Sequence, residues 1–112
     1  MNSILFCMTL KKNCLAQYKE CIKEALLRQK EWGEMLKRYD LHSVSAWHHN
    51  INDKEYVFVQ HNAGPQYAEK LKGWETSEHP FDIWFRHKIM AVLDIDNIDG
   101  MIQLPQLVHF HA

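Results

Sequence analysis

Hydrophobic residues recur with two periods along this chain, and the switches between them mark its elements. The opening run Ile4-Leu5-Phe6-Cys7-Met8-Thr9-Leu10 alternates, placing Ile4, Phe6, Met8 and Leu10 on one face and Leu5, Cys7 and Thr9 on the other. Both faces carry apolar residues, so this strand belongs to a sheet covered on both sides. Over residues 13–39 the spacing changes to three and four. Leu15, Tyr18, Ile22 and Ala25 begin the stripe, and Trp32, Leu36 and Tyr39 continue it after Gln29. One long amphipathic helix is predicted, capped by Asn13 and ended by Asp40. Gly33, which costs about 1 kcal/mol relative to Ala inside a helix, is expected to mark a bend or a close contact.

Period two returns at Leu41. Residues 41–49 and 55–61 read as antiparallel strands joined by turn-forming residues 50–54. Asn62-Ala63-Gly64-Pro65 then signals a helix start with Pro65 near the first helical position, and Tyr67, Ala68, Leu71 and Trp74 mark a short buried stripe. Residues 75–79 interrupt it, and Pro80 opens another helix reaching about Leu93 through Phe81, Trp84, Phe85 and Met90. After a loop rich in Asp and Asn, residues 107–111 close the chain as a further strand.

The order of elements predicts one α+β domain over 1–112, of ferredoxin-like βαββαβ topology. Right-handed crossovers give a four-stranded antiparallel sheet with helices on one face. The other face still carries apolar residues such as Leu5 and Cys7, so a second copy is expected to cover it, making a homodimer of the dimeric α/β-barrel type.

Composition narrows the function classes. The 112 residues carry a net charge of -1 with His neutral, and the Lys and Arg residues are scattered. A nucleic-acid module would instead gather them into a patch or stripe. Three cysteines, Cys7, Cys14 and Cys21, offer neither an even disulfide set nor a zinc ribbon, and suit a reducing compartment. No stretch is long and apolar enough to span a bilayer. A cytoplasmic location without membrane partners is the expectation.

Eight histidines and four tryptophans are the unusual content. His109 and His111 share one strand face, as do His42 and His48, and with His61 they could gather ligand nitrogens. A third ligand cannot be placed, so pocket-lining histidines are the better reading and no metal is implied. Asp94 to Gly100 resembles a calcium loop only superficially, because Ile98 and Pro105 fall where ligands belong. The cysteines lack a nucleophile motif, and no glycine-rich phosphate loop occurs. What remains is an aromatic and imidazole cleft between helices and sheet. Tyr18, Trp74, Trp84 and Phe85 would face His61, offering ring surfaces for a ligand and groups able to exchange protons. Tyr18 and Trp84 taken singly are better explained by core packing, and it is the grouping with the topology that points to a pocket.

From Phe6 to about Asp94 the chain resembles the L-rhamnose mutarotase family. The likeness rests on Phe6-Cys7-Met8-Thr9-Leu10, Tyr18, the Leu36-Lys37 helix end leading to His42 and Trp47, and Trp84-Phe85. It implies a dimeric α/β barrel that interconverts sugar anomers by acid–base ring opening and closure, without a cofactor. Tyr18 and Trp84 carry over as site residues, with Phe85 beside Trp84 where the family has a second Trp. The family's Tyr is followed four residues later by His, where this chain has Ile22, and residues 10–41 contain no histidine. The proton donor and acceptor must then come from elsewhere. Tyr18 and His61 are the catalytic candidates, with Trp84, Phe85 and His42 contacting a monosaccharide. Two other readings stand beside this one: a cofactor-independent monooxygenase or haem-handling protein of the same architecture, and a non-catalytic small-molecule binding domain.

Overall fold

Strand pairing organises the molecule. The computed structural model describes residues 2–94 and 102–103. Its elements run β1 (Asn2–Thr9), α1 (Leu15–Leu27), α2 (Gln29–Arg38), β2 (Leu41–Ile51), β3 (Lys54–Ala63), α3 (Tyr67–Leu71), α4 (Pro80–Val92) and β4 (Ile102–Gln103). Three long strands lie in the order β2-β3-β1, and the short β4 pairs with Phe6 and Cys7 on the other edge of β1. All pairings are antiparallel. This is the ferredoxin-like arrangement, with helices against one face. The closing strand expected over 107–111 lies outside the described residues, as does most of the loop from Asp94 to Gly100.

The alternation read from the first strand is realised in packing. Phe6, Met8 and Leu10 are buried under the helices, whereas Leu5, Cys7 and Thr9 are half-buried. Across the helix-free face, Cys7 stands opposite Phe58 and Phe58 opposite Trp47, which is 51% exposed. Next to this apolar row lies that of Leu5, Gln60 and Ser45, and beyond it a polar row. There Ser3 Oγ donates to Asn62 Oδ1 and Asn62 Nδ2 donates to Ser43 Oγ, both at 2.7 Å.

Three boundaries differ from the sequence expectation. First, the long helix is two. At Arg28 (φ −91, ψ 59) the backbone leaves helical geometry, and α2 starts afresh. Gly33, expected to mark a bend or contact, lies within α2, and a Cβ there would meet nothing within 4 Å. The start of α1 serves one core, and its end at Ala25 joins α2 in another. Met8, Leu10, Tyr18, Val57, Val92 and Leu93 form the first, and Ala25, Met35, Tyr39 and Phe81 the second. Secondly, Asn13 is not the cap. It adopts φ 63, and Cys14 occupies the cap position without a side-chain hydrogen bond. Thirdly, the hairpin turn is tighter than residues 50–54, because Asn50 pairs with Glu55 and Ile51 with Lys54. The two residues left, Asn52 (φ 51) and Asp53 (φ 65), both accept the left-handed region that a two-residue turn between twisted strands requires.

The strand β2 also carries an irregularity. Leu41 pairs with Ala63 and Ser43 with Asn62, so His42 is the extra, unpaired residue of a bulge. The alternation reverses there, and Val44 and Ala46 follow Leu41 onto the helix side.

Candidate functional site

A cavity of about 150 Å3 lies between sheet and helices, where the two cores meet. The sheet contributes Val44, Ala46, Val57, Val59 and His61 to its wall. Tyr18 and Ile22 come from α1, Trp32 and Tyr39 from α2, and Phe85 from α4, with Trp74 closing one side. The rings interlock edge to face: Trp32 on Phe85 at 5.7 Å, Trp74 on Phe85 at 6.1 Å and Tyr39 on Trp74 at 5.9 Å. Among the described residues that line it there is no lysine, arginine or carboxylate.

Polarity enters this wall at few points. The Tyr39 hydroxyl is spent, donating to Asp82 Oδ2 at 2.6 Å. Tyr18 is buried, and its hydroxyl has no hydrogen-bond partner among the described residues, although no fully enclosed side-chain polar atom is left unsatisfied. Burial pushes the Tyr18 pKa up to about 12, helped by the nearby Cys21 thiol. It stays protonated.

His61 is the second polar group. Its Nδ1 lies 2.7 Å from the Tyr67 hydroxyl, and Phe6 and Tyr67 both meet its ring edge to face. Burial lowers the His61 pKa to about 4, so the ring is neutral near pH 7. Tyr67 is itself buried, with its pKa raised to about 12 by the same cause, and has no other acceptor among the described residues. Its hydroxyl pairs with Nδ1, and Nε2 is the ring nitrogen left for another partner.

The residues picked out in the sequence separate here. Tyr18, His61 and Phe85 line the cavity together, and so does Ile22. Trp84 and His42 do not. Trp84 packs against Phe81 and Phe85 in the second core, with the Arg28 guanidinium 4.0 Å above its ring. His42 is exposed in the bulge. His48 bonds to Glu55 near the hairpin, so His42, His48 and His61 do not converge. Among the described residues no group of three His, Cys, Asp or Glu side chains could hold a metal ion. His109 and His111 lie outside them.

A buried polar cluster escaped the sequence reading. Asp82, fully buried in the first turn of α4, accepts from Arg38 Nε and Nη2, from the Tyr39 hydroxyl and from Ser77 Oγ at 2.7 Å. Burial alone would raise its pKa, but the hydrogen bonds from Arg38, Tyr39 and Ser77 outweigh it and keep the carboxyl below its usual range. Arg86 donates to the Trp74 carbonyl at 2.6 Å. These bonds anchor the segment between α3 and α4, which positions Trp74 on the cavity wall. The available signal was an acidic residue shortly after Pro80, which by itself reads as a helix-start charge.

No protein-family model matches this chain, and no curated protein matches it. Among solved structures, the L-rhamnose mutarotase of Formosa agariphila superposes with a TM-score of 0.61 at 14% identity, over 100% of this chain and 99% of that one. The likeness establishes a mutarotase-like fold. It does not establish membership of the family.

Proposed function

We propose that the helix–sheet cavity is a binding site for a compact, largely apolar small molecule, with Tyr18 and His61 as its polar contacts. The observation that carries this reading is the wall itself: among its described residues it is apolar but for the Tyr18 hydroxyl, which has no partner among them, the Tyr39 hydroxyl, given to Asp82, and His61, with one ring nitrogen free of Tyr67. Small-molecule sites have this character, a hydrophobic lining with a few polar groups that fix orientation. The volume favours one small ring over a haem. A thermal-shift screen of small neutral compounds tests it. A rise in melting temperature for some of them, abolished by Ile22→Trp filling the cavity, is expected. A screen in which no compound shifts the transition would overturn the assignment.

A second reading, interconversion of sugar anomers, draws support from the Formosa mutarotase fold and from Tyr18 on the cavity wall. Ring opening removes the anomeric hydroxyl proton while the ring oxygen gains one, so an acid and a base poised near neutrality serve it. Burial moves both candidates the other way, Tyr18 to about 12 and His61 to about 4. Saturation-transfer NMR on L-rhamnose decides. Accelerated exchange that disappears in Tyr18→Phe would establish the reaction, and an unchanged rate at micromolar protein would remove it.

The same proposal includes a homodimer. Leu5, Cys7, Phe58 and Trp47 make an apolar patch on the helix-free face, which a second copy of the chain would cover. Among the described residues no helix is long and apolar enough to cross a membrane.

A further inference from the structure

We propose that the ligand of this cavity is a neutral molecule of one aromatic ring bearing a single oxygen substituent, of the phenol type, with Tyr18 and His61 supplying its hydrogen bonds. The proposal rests on the cavity's being the binding site and names the class of molecule that fits it. Size sets the first limit. A volume of about 150 Å3 equals that of an engineered apolar cavity known to take up benzene, so one ring fills it and two do not.

Charge sets the second limit. With no cation or carboxylate among the described residues that line it, a carboxylate, phosphate or ammonium would be buried unpaired there, at a cost that favours its neutral form or its exclusion. Hydrogen-bond capacity sets the third. A hexose carries a hydroxyl on nearly every carbon, whereas the described polar lining is Tyr18, His61 and Tyr39, whose hydroxyl is already given to Asp82. Most sugar hydroxyls would lose water without replacement. A ligand with one oxygen leaves neither side short. It pairs with the ring nitrogen of His61 that Tyr67 leaves free, and the Tyr18 hydroxyl can donate to it or accept from it.

Ring content argues for an aromatic rather than a saturated ring. Trp32, Trp74, Phe85 and Tyr39 already meet one another at interplanar angles of 69–84°. A planar guest between them finds both faces and edges in the offset and T-shaped geometries that aromatic pairs prefer.

The test is calorimetric titration of the full chain with phenol, toluene and cyclohexanol. Tryptophan fluorescence, excited beyond phenol's absorption, provides a second readout through Trp32 and Trp74. Phenol is expected to bind roughly tenfold more tightly than toluene, about the factor that one net hydrogen bond supplies, and more tightly than cyclohexanol. In Tyr18→Phe or His61→Phe that preference over toluene shrinks while toluene affinity is kept. Two variants guard against one that fails to fold. Equal binding of phenol and toluene would overturn the oxygen requirement, and equal binding of cyclohexanol the aromatic one, both leaving the apolar binding site intact. Silence from all three ligands together with a silent thermal-shift screen would overturn the binding site as well.

Discussion

The Tyr67 hydroxyl pairs with Nδ1 of His61 across 2.7 Å, and this bond limits what His61 can do. An imidazole with one ring nitrogen engaged, and whose burial keeps it neutral, has only Nε2 left for a ligand. The consequence is measurable in the stability of the fold. The His61 pKa falls from 6.5 unfolded to about 4 folded. The unfolded chain therefore takes up a proton near pH 6.5 that the native ring refuses. The contribution is fully present above pH 6.5 and is lost as the pH falls toward 4, on the order of 3 kcal/mol in all. Urea unfolding across this window should show the decline, and His61→Phe should flatten it. A wild-type profile with no slope there would mean that His61 is solvated.

Asp82 titrates in a lower window. Its folded pKa is depressed, so its contribution is present above the usual carboxylate pKa and is lost as the pH drops through the folded value. Asp82→Ala leaves Arg38 and the hydroxyls of Tyr39 and Ser77 without their acceptor. A loss of about 3 kcal/mol is expected at neutral pH, measured as a lower urea midpoint. A change below about 0.5 kcal/mol would show that water replaces the carboxylate without cost.

Gly64 is required by a close approach. Its N–H donates to the Asp40 carbonyl at 2.8 Å, and the Asp40 carboxylate accepts from the Gln66 N–H at 2.8 Å. A Cβ on residue 64 would run into that carboxylate. Gly64→Ala should destabilise by roughly 1–3 kcal/mol. Asp40→Gly in the same chain should recover much of it, since Asp40 sits at φ 53, a conformation glycine adopts freely. Additive losses in the double variant would disprove the steric coupling.

The dimer proposal is tested at Trp47. Trp47→Glu sets a charge at the β2 end of the apolar row beside Phe58 and should yield monomer by light scattering at concentrations where the wild type is dimeric. Far-ultraviolet circular dichroism should remain unchanged, because the Trp47 side chain is half exposed and outside both cores. A wild type that is monomeric throughout would remove the proposal.

Much of the fold was legible because strand alternation and helical spacing are written directly in side-chain type. Phe6, Met8 and Leu10 face the helices as their period requires, and Pro80 opens α4 as its fixed φ and missing N–H favour. The break at Arg28 was not legible. Neither Pro nor Gly stands there, and the stripe through Ala25, Gln29 and Trp32 runs on undisturbed. Past the break Met35 and Tyr39 pack with Phe81, a tertiary arrangement that periodicity does not encode. The site divided along the same line. Tyr18, His61 and Phe85 lie on faces that alternation places inward, whereas the bulge at His42 and the packing of Trp84 under Arg28 depend on tertiary neighbours. Asp82 was missed because an acidic residue early in a helix has an ordinary surface use.

The break at Arg28 has a consequence for how such a protein can change. Tyr18, which gives the cavity polarity, belongs to the helix before the break; Trp32, which bounds its width, belongs to the helix after it. Ligand size and ligand polarity thus sit on separately adjustable helices. Selection, or a designer, can widen the cavity at Trp32 while the hydrogen-bonding end at Tyr18 keeps its place.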